Sequence, residues 1–75
     1  MKDDETKLLV SDEVARRIRE AREMRGWSQY KLAEKSGVSA PHIYRIEQGF
    51  LAVRVDVLQR LCVALKLEMQ FPLPI

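Results

Sequence analysis

The chain has 75 residues, 47% of them hydrophobic and 32% charged, with only 3 Gly and 3 Pro. That length holds one small domain and no second, and the composition excludes a disordered chain, which carries fewer apolar residues and a larger net charge. The net charge of +2 hides an asymmetry: residues 1–13 carry two Lys against five acids, residues 14–54 nine Lys or Arg against four Glu, and residues 55–75 are balanced. A basic middle either suits a polyanionic partner or is a solvated amphipathic surface.

Residues 1–10 are expected to be a flexible arm, polar and then briefly apolar at Leu8, Leu9 and Val10. Ser11 is an N-cap, with Asp12 and Glu13 in the first turn of a helix over about 12–25. Val14, Ile18, Ala21 and Arg25 form its narrow inward stripe, and Gly26 stops it. Ser28 caps a short second helix over about 29–36, with Trp27 as a hydrophobic staple and Leu32 and Ala33 inward. Gly37 ends that helix in a turn with positive φ. Ser39 then caps a third helix over about 40–48, with Pro41 in its first turn, Ile43 and Ile46 inward, Glu47 beside them and Gly49 as its stop. The short connection at Gly37–Val38 predicts two helices that cross steeply. Residues 50–53 read as a loop, and a fourth helix over about 55–66 points Val55, Leu58, Leu61, Cys62 and Leu65 inward.

The period then changes. Leu67, Met69, Phe71 and Leu73 alternate with Lys66, Glu68, Gln70 and Pro72, a strand pattern. No other segment shows it, and one strand satisfies neither its own backbone nor its apolar face. The expected partner is the same strand of a second copy around a two-fold axis, making residues 68–75 a dimerisation tail; a disordered or docked extended tail is the alternative. A second copy also suits a core this small, which buries only roughly 60% of the unfolded surface.

A single Cys and a single His exclude a disulfide framework and argue against a metal site. Cys62 is expected in the core rather than as a reactive thiol. Neither an apolar stretch of ~18 residues nor an apolar signal core is present, so a cytoplasmic protein is expected, without a cofactor and without membrane contact. An enzyme is disfavoured, because no nucleophile–base pair or carboxylate dyad is placed to share a cleft.

The strongest local signal is the run from Gln29 to Gly49, QYKLAEKSGVSAPHIYRIEQG, with small Ala33 at a helix crossing, Gly37 at the turn, and apolar Leu32, Val38, Ile43 and Ile46 in register before Glu47-Gln-Gly49. It resembles the helix-turn-helix of the Cro/cI-type (Xre-like) repressor family over residues 11–67. The resemblance implies an all-α, lambda-repressor-like domain of four to five helices, acting as a homodimer on a palindromic operator in double-stranded DNA and nucleoid-associated when bound. In such a motif the first turn of the second helix lies against base edges. Ala40, Pro41, His42, Tyr44, Arg45 and Gln48 are then the outward positions. Arg45 either forks onto guanine O6 and N7 or contacts a phosphate; His42 either touches a phosphate or base edge or is simply exposed. Ala40 and Pro41 offer only apolar contacts, such as a thymine methyl, which enlarges the share of shape readout. Gln29 matches the family's phosphate-gripping position, and Ser28 and Ser39 open helices whose N-termini favour phosphate oxygens. Lys31, Lys35 and Arg54 either join them or are solvated. Arg22 and Glu47 match a buried ion pair of the family.

Where the family has a Pro-Ser or similar start before the fourth helix, this chain has Val53-Arg54. The segments Val53–Leu58 and Ala64–Phe71 are more similar to the HipB-type antitoxin branch, in which a short C-terminal strand pairs between subunits. That likeness implies the alternative function, an antitoxin that binds and neutralises a toxin protein while repressing its own operon.

Overall fold

A computed structural model describes residues 7–49 and 51–67 of the chain. In chain order it runs β1 (Lys7–Val10), α1 (Asp12–Met24), α2 (Gln29–Ser36), α3 (Ala40–Gln48), β2 (Leu51–Arg54) and α4 (Val55–Leu65). Three of the four helices start where a serine can cap them. Ser11 Oγ accepts from Val14 N–H at 3.3 Å, Ser28 Oγ from Lys31 N–H at 3.0 Å and Ser39 Oγ from His42 N–H at 3.3 Å, each satisfying an amide the helix itself leaves unpaired. α4 has no such cap; Asp56 in its first turn faces the positive end of the helix dipole instead.

The helix ends are closed by main-chain bonds. After α1, Gly26 N–H donates to Glu23 C=O at 2.9 Å and Trp27 N–H to Arg22 C=O at 3.2 Å, the paired bonds of a Schellman motif. α4 repeats the pattern, with Lys66 N–H on Val63 C=O and Leu67 N–H on Cys62 C=O. Here the left-handed position is held by Lys66, at φ 52°.

α1 packs on α3 and α4, and α2 packs on the same two helices. Their shared centre is a core of Ile18, Leu32, Ile43, Ile46, Leu58, Leu61 and Leu65, all fully buried, with Ala15, Ala21, Val38, Val55 and Cys62 around them. The inward stripe of α1 is therefore Ala15, Ile18 and Ala21, not the one expected from Val14 and Arg25. Val14 is only half-buried against the core. Arg25 is exposed; its guanidinium sits 5.8 Å from the centre of the Trp27 ring, and Nη1 donates to Ala21 C=O. A guanidinium keeps its charge hydrated where a stacked ring and a helix-end carbonyl can hold it. Cys62 lies in the core as expected, and burial pushes its thiol pKa up, against a smaller opposing pull from the positive charge of Arg17.

Two expectations are corrected by the sheet. β1 and β2 pair antiparallel, Lys7 opposite Arg54 and Val10 opposite Leu51. Lys7–Val10 is thus strand rather than flexible arm, and Leu51–Arg54 is strand rather than loop. Val10 and Val53 are buried, while Ala52 and Arg54 are exposed. Burying the two valines ties the start of the chain to the α3–α4 connection, and ladder bonds satisfy backbone that would otherwise border the core without partners. The premise that no other segment forms a strand falls with this pairing. Leu67, expected in the dimerisation strand, packs against the core of its own chain; Met69, Phe71 and Leu73 lie outside the described residues.

Four helices around one core, with a two-stranded ribbon at one side, make this an all-α, lambda-repressor-like domain.

Candidate nucleic-acid interface

α2, the turn at Gly37 and α3 form the helix-turn-helix. Gly37 takes φ +77°, a left-handed conformation open to glycine at little cost, and its N–H closes α2 on Ala33 C=O at 2.9 Å. Val38 is buried immediately after it, so the chain turns inward before Ser39 starts α3.

α3 is sharply two-sided. Ile43, Ile46 and Glu47 are buried; Pro41, Tyr44, Arg45 and Gln48 are exposed, and Ala40 and His42 are half-buried. Every predicted readout side chain therefore lies on or beside the open face of one nine-residue helix, with Arg45 exposed on it. Ser28 and Ser39, both exposed, occupy the N-terminal ends of α2 and α3. Of the first-turn amides beside them, those of Lys31 and His42 are taken by the serine hydroxyls and Pro41 has none; those of Gln29, Tyr30 and Ala40 have no partner within their helices and suit anionic oxygen.

Behind this surface lies a buried polar cluster. Arg22 Nε donates to Glu47 Oε2 at 2.8 Å and Arg22 Nη2 to Glu47 Oε1 at 3.0 Å, a two-pronged guanidinium–carboxylate pair. Its side chains are 12% and 3% exposed, so Arg22 and Glu47 form a largely desolvated pair rather than two surface charges. The hydrogen bond to Glu47 is the main cause that raises the Arg22 pKa, against the opposing effect of burial. Arg22 Nη1 also donates to Trp27 C=O at 2.8 Å. The pair thereby fastens α1, the α1–α2 corner and α3 to one another.

Gln29 joins the same cluster: its Nε2 donates to Glu47 Oε1 at 3.0 Å. Sequence reasoning placed Gln29 only at a phosphate. The missed signal is its position, one residue past the Ser28 cap and at the corner that Arg22 already holds. Two of the basic candidates also have partners. Lys31 Nζ lies 3.6 Å from Glu34 Oε1. Arg54 donates through Nε to Asp56 Oδ1 at 3.0 Å and through Nη2 to Asp56 Oδ2 at 3.3 Å, both side chains about half exposed. Asp56 is a residue the sequence reading left out of the interface, although its spacing of two from Arg54 at a helix start favours such a fork.

An exposed two-sided helix joined to a second helix by a short turn at Gly37 is the architecture of a DNA-binding helix-turn-helix domain. The model of the helix-turn-helix family of Cro/cI (Xre-like) type matches residues 18–71, from the middle of α1 through α4, and the chain belongs to that family. It is a DNA-binding regulator domain. β1 precedes the matched span. No curated protein matches the chain. Among the described residues, no helix is long and apolar enough to cross a membrane.

Proposed function

We propose that this protein is a sequence-specific repressor that binds a palindromic operator as a homodimer and regulates its own operon. The observation that carries the reading is the asymmetry of α3. Its inner side is locked by Ile43, Ile46 and the Glu47 pair, while Pro41, Tyr44, Arg45 and Gln48 stand open to solvent. In this reading α3 enters the major groove, Arg45 forks onto a guanine, Ala40 and Pro41 line a thymine methyl, and His42, Tyr44 and Gln48 complete the contact. Ser28, Gln29 and Ser39 hold backbone phosphates at the two helix starts, with Lys31 and Arg54 adding charge. Residues 68–75 join two copies, so that two α3 helices face successive major grooves about 34 Å apart.

Selection of bound duplexes from a random DNA pool tests this. A consensus of two inverted half-sites, centred about 10 base pairs apart, is the expected result; recovery of unrelated sequences overturns sequence-specific repression. A protein-partner role, that of an antitoxin, draws instead on Met24 and Val63, apolar side chains strongly exposed on α1 and α4 rather than on α3. Co-purification of a toxin encoded beside this chain would favour it.

A further inference from the structure

We propose that Glu47 is a positioning residue for the duplex contact at the start of α2: its buried carboxylate sets the side chain of Gln29 before DNA arrives. The proposal rests on the reading that Gln29 meets a backbone phosphate. The geometry supplies the rest. Glu47 Oε1 accepts from both Arg22 Nη2 and Gln29 Nε2, each at 3.0 Å, while Oε2 takes Arg22 Nε at 2.8 Å. A carboxylate only accepts, so the Gln29 amide must present its nitrogen to Glu47. One amide proton is used inward. The second, fixed by the plane of the amide, is left for another acceptor.

A glutamine at a helix start otherwise samples several rotamers, and a ligand that needs one of them must freeze the rest on binding. Here the freezing is done by the fold. Arg22 has a separate part in it: by matching the charge of Glu47, it lets a carboxylate sit behind Gln29 without repelling an arriving phosphate as a bare anion would. The same carboxylate that docks α3 on α1 thus aims a group on α2, and the two helices of the motif meet the duplex in a fixed relation.

The test is a binding cycle on the full chain, using the duplex recovered by selection and a random-sequence duplex. Gln29→Ala is expected to weaken both about tenfold per protomer, the worth of one hydrogen bond to a charged oxygen. The salt dependence should stay unchanged, because glutamine displaces no counterion. Glu47→Asp keeps the charge beside Arg22 but shortens its reach, and is expected to weaken binding about three- to tenfold. In the Gln29→Ala background the same change is expected to cost markedly less than in the unaltered protein.

An equal loss in both backgrounds would show Glu47 acting through the fold as a whole and would overturn the proposal. So would full binding by Glu47→Asp, or by Gln29→Ala while the unaltered protein binds. Failure of the unaltered protein to bind any duplex at low salt would instead remove the DNA-binding reading itself. If Glu47→Asp does not fold, side-chain ¹⁵N relaxation in the free, unaltered protein decides: the Gln29 amide is expected to be far more ordered than that of exposed Gln59. Equal mobility of the two overturns the proposal.

Discussion

Gly49 ends α3 at φ 88° and ψ 171°, a region of backbone space that is essentially closed to residues with a Cβ. A methyl group built there would lie 2.9 Å from Asp12 Oδ1, 3.7 Å from Asp12 Cα and 3.8 Å from Ala15 Cβ. Gly49→Ala therefore meets two penalties. The backbone strain is about 1–3 kcal/mol. The contact with Asp12 adds less, because a carboxylate at an exposed helix start can swing aside. Against both stands about 0.4–1 kcal/mol from the reduced freedom of the unfolded chain. The expected net loss is about 1–2 kcal/mol. Gly37→Ala is the control: φ is +77° in the ordinary left-handed well and nothing lies within 4 Å of an added Cβ. Strain of about 1–2 kcal/mol there, less the same entropy, leaves a smaller loss. Urea unfolding should show both midpoints lowered at constant m, Gly49→Ala the more. Adding Asp12→Ala to Gly49→Ala should recover only the small steric part. A Gly49→Ala midpoint at or above that of Gly37→Ala would refute the reasoning.

Three substitutions and one truncation test the site and the proposed function further. Glu47→Ala leaves Arg22 desolvated without its anion and is expected to destabilise by about 3–5 kcal/mol, whereas Arg22→Met with Glu47→Leu recovers most of that loss; thermal melts followed by circular dichroism separate the two outcomes. Arg45→Ala is expected to leave the melt unchanged and to remove about 1–3 kcal/mol of discrimination at one base pair per half-site, and an unaltered preference in competition binding would strike Arg45 from the readout. Asp56→Asn frees the Arg54 fork, so affinity for DNA should rise and the salt slope steepen by about one per protomer; an unchanged slope would mean that Arg54 meets no phosphate. Deletion of residues 68–75 is expected to yield monomers with weaker operator binding, and a truncated chain that still sediments as a dimer contradicts the tail's role.

The helices were legible because their signals are local. Ser11, Ser28 and Ser39 each accept the amide three residues on, and the stops at Gly37 and Gly49 fall where positive φ is required. The face of α1 was legible only in part. Its true inward residues include Ala15 and Ala21, whose small side chains give a faint periodic signal beside that of Val14. Their smallness matters for packing, since Ala15 lies against the turn at Gly49. The ribbon was not legible. β1 and β2 are four residues each, too short to show an alternating period, and more than forty positions separate Lys7 from its partner Arg54. No turn chemistry announces a pairing between distant segments. The outward face of α3 was legible at Pro41, Tyr44, Arg45 and Gln48, which are exposed, and less so at Ala40 and His42, which are half-buried. Partners within the candidate interface were not legible, because the bonds of Gln29 to Glu47 and of Arg54 to Asp56 depend on rotamers that a pattern of residue types leaves open.

A buried ion pair is weak evidence of stability, since well-packed apolar side chains of similar volume often serve a core as well or better. Its presence in so small a domain needs another reason. α3 has nine residues, too few to hold a helix by themselves, and Ile43 and Ile46 fix its depth in the core without fixing its rotation or slide. Apolar contacts are non-directional; the two-pronged bond from Arg22 to Glu47 is directional and sits at the C-terminal end of α3. It sets the helix at one angle relative to α1, and through Gln29 relative to α2. A helix that reads base edges works only when its side chains arrive within about half an ångström of their partners. Replacing the pair by Met and Leu should therefore separate two properties that single substitutions confound: the domain would keep its melting temperature while losing discrimination between related duplexes.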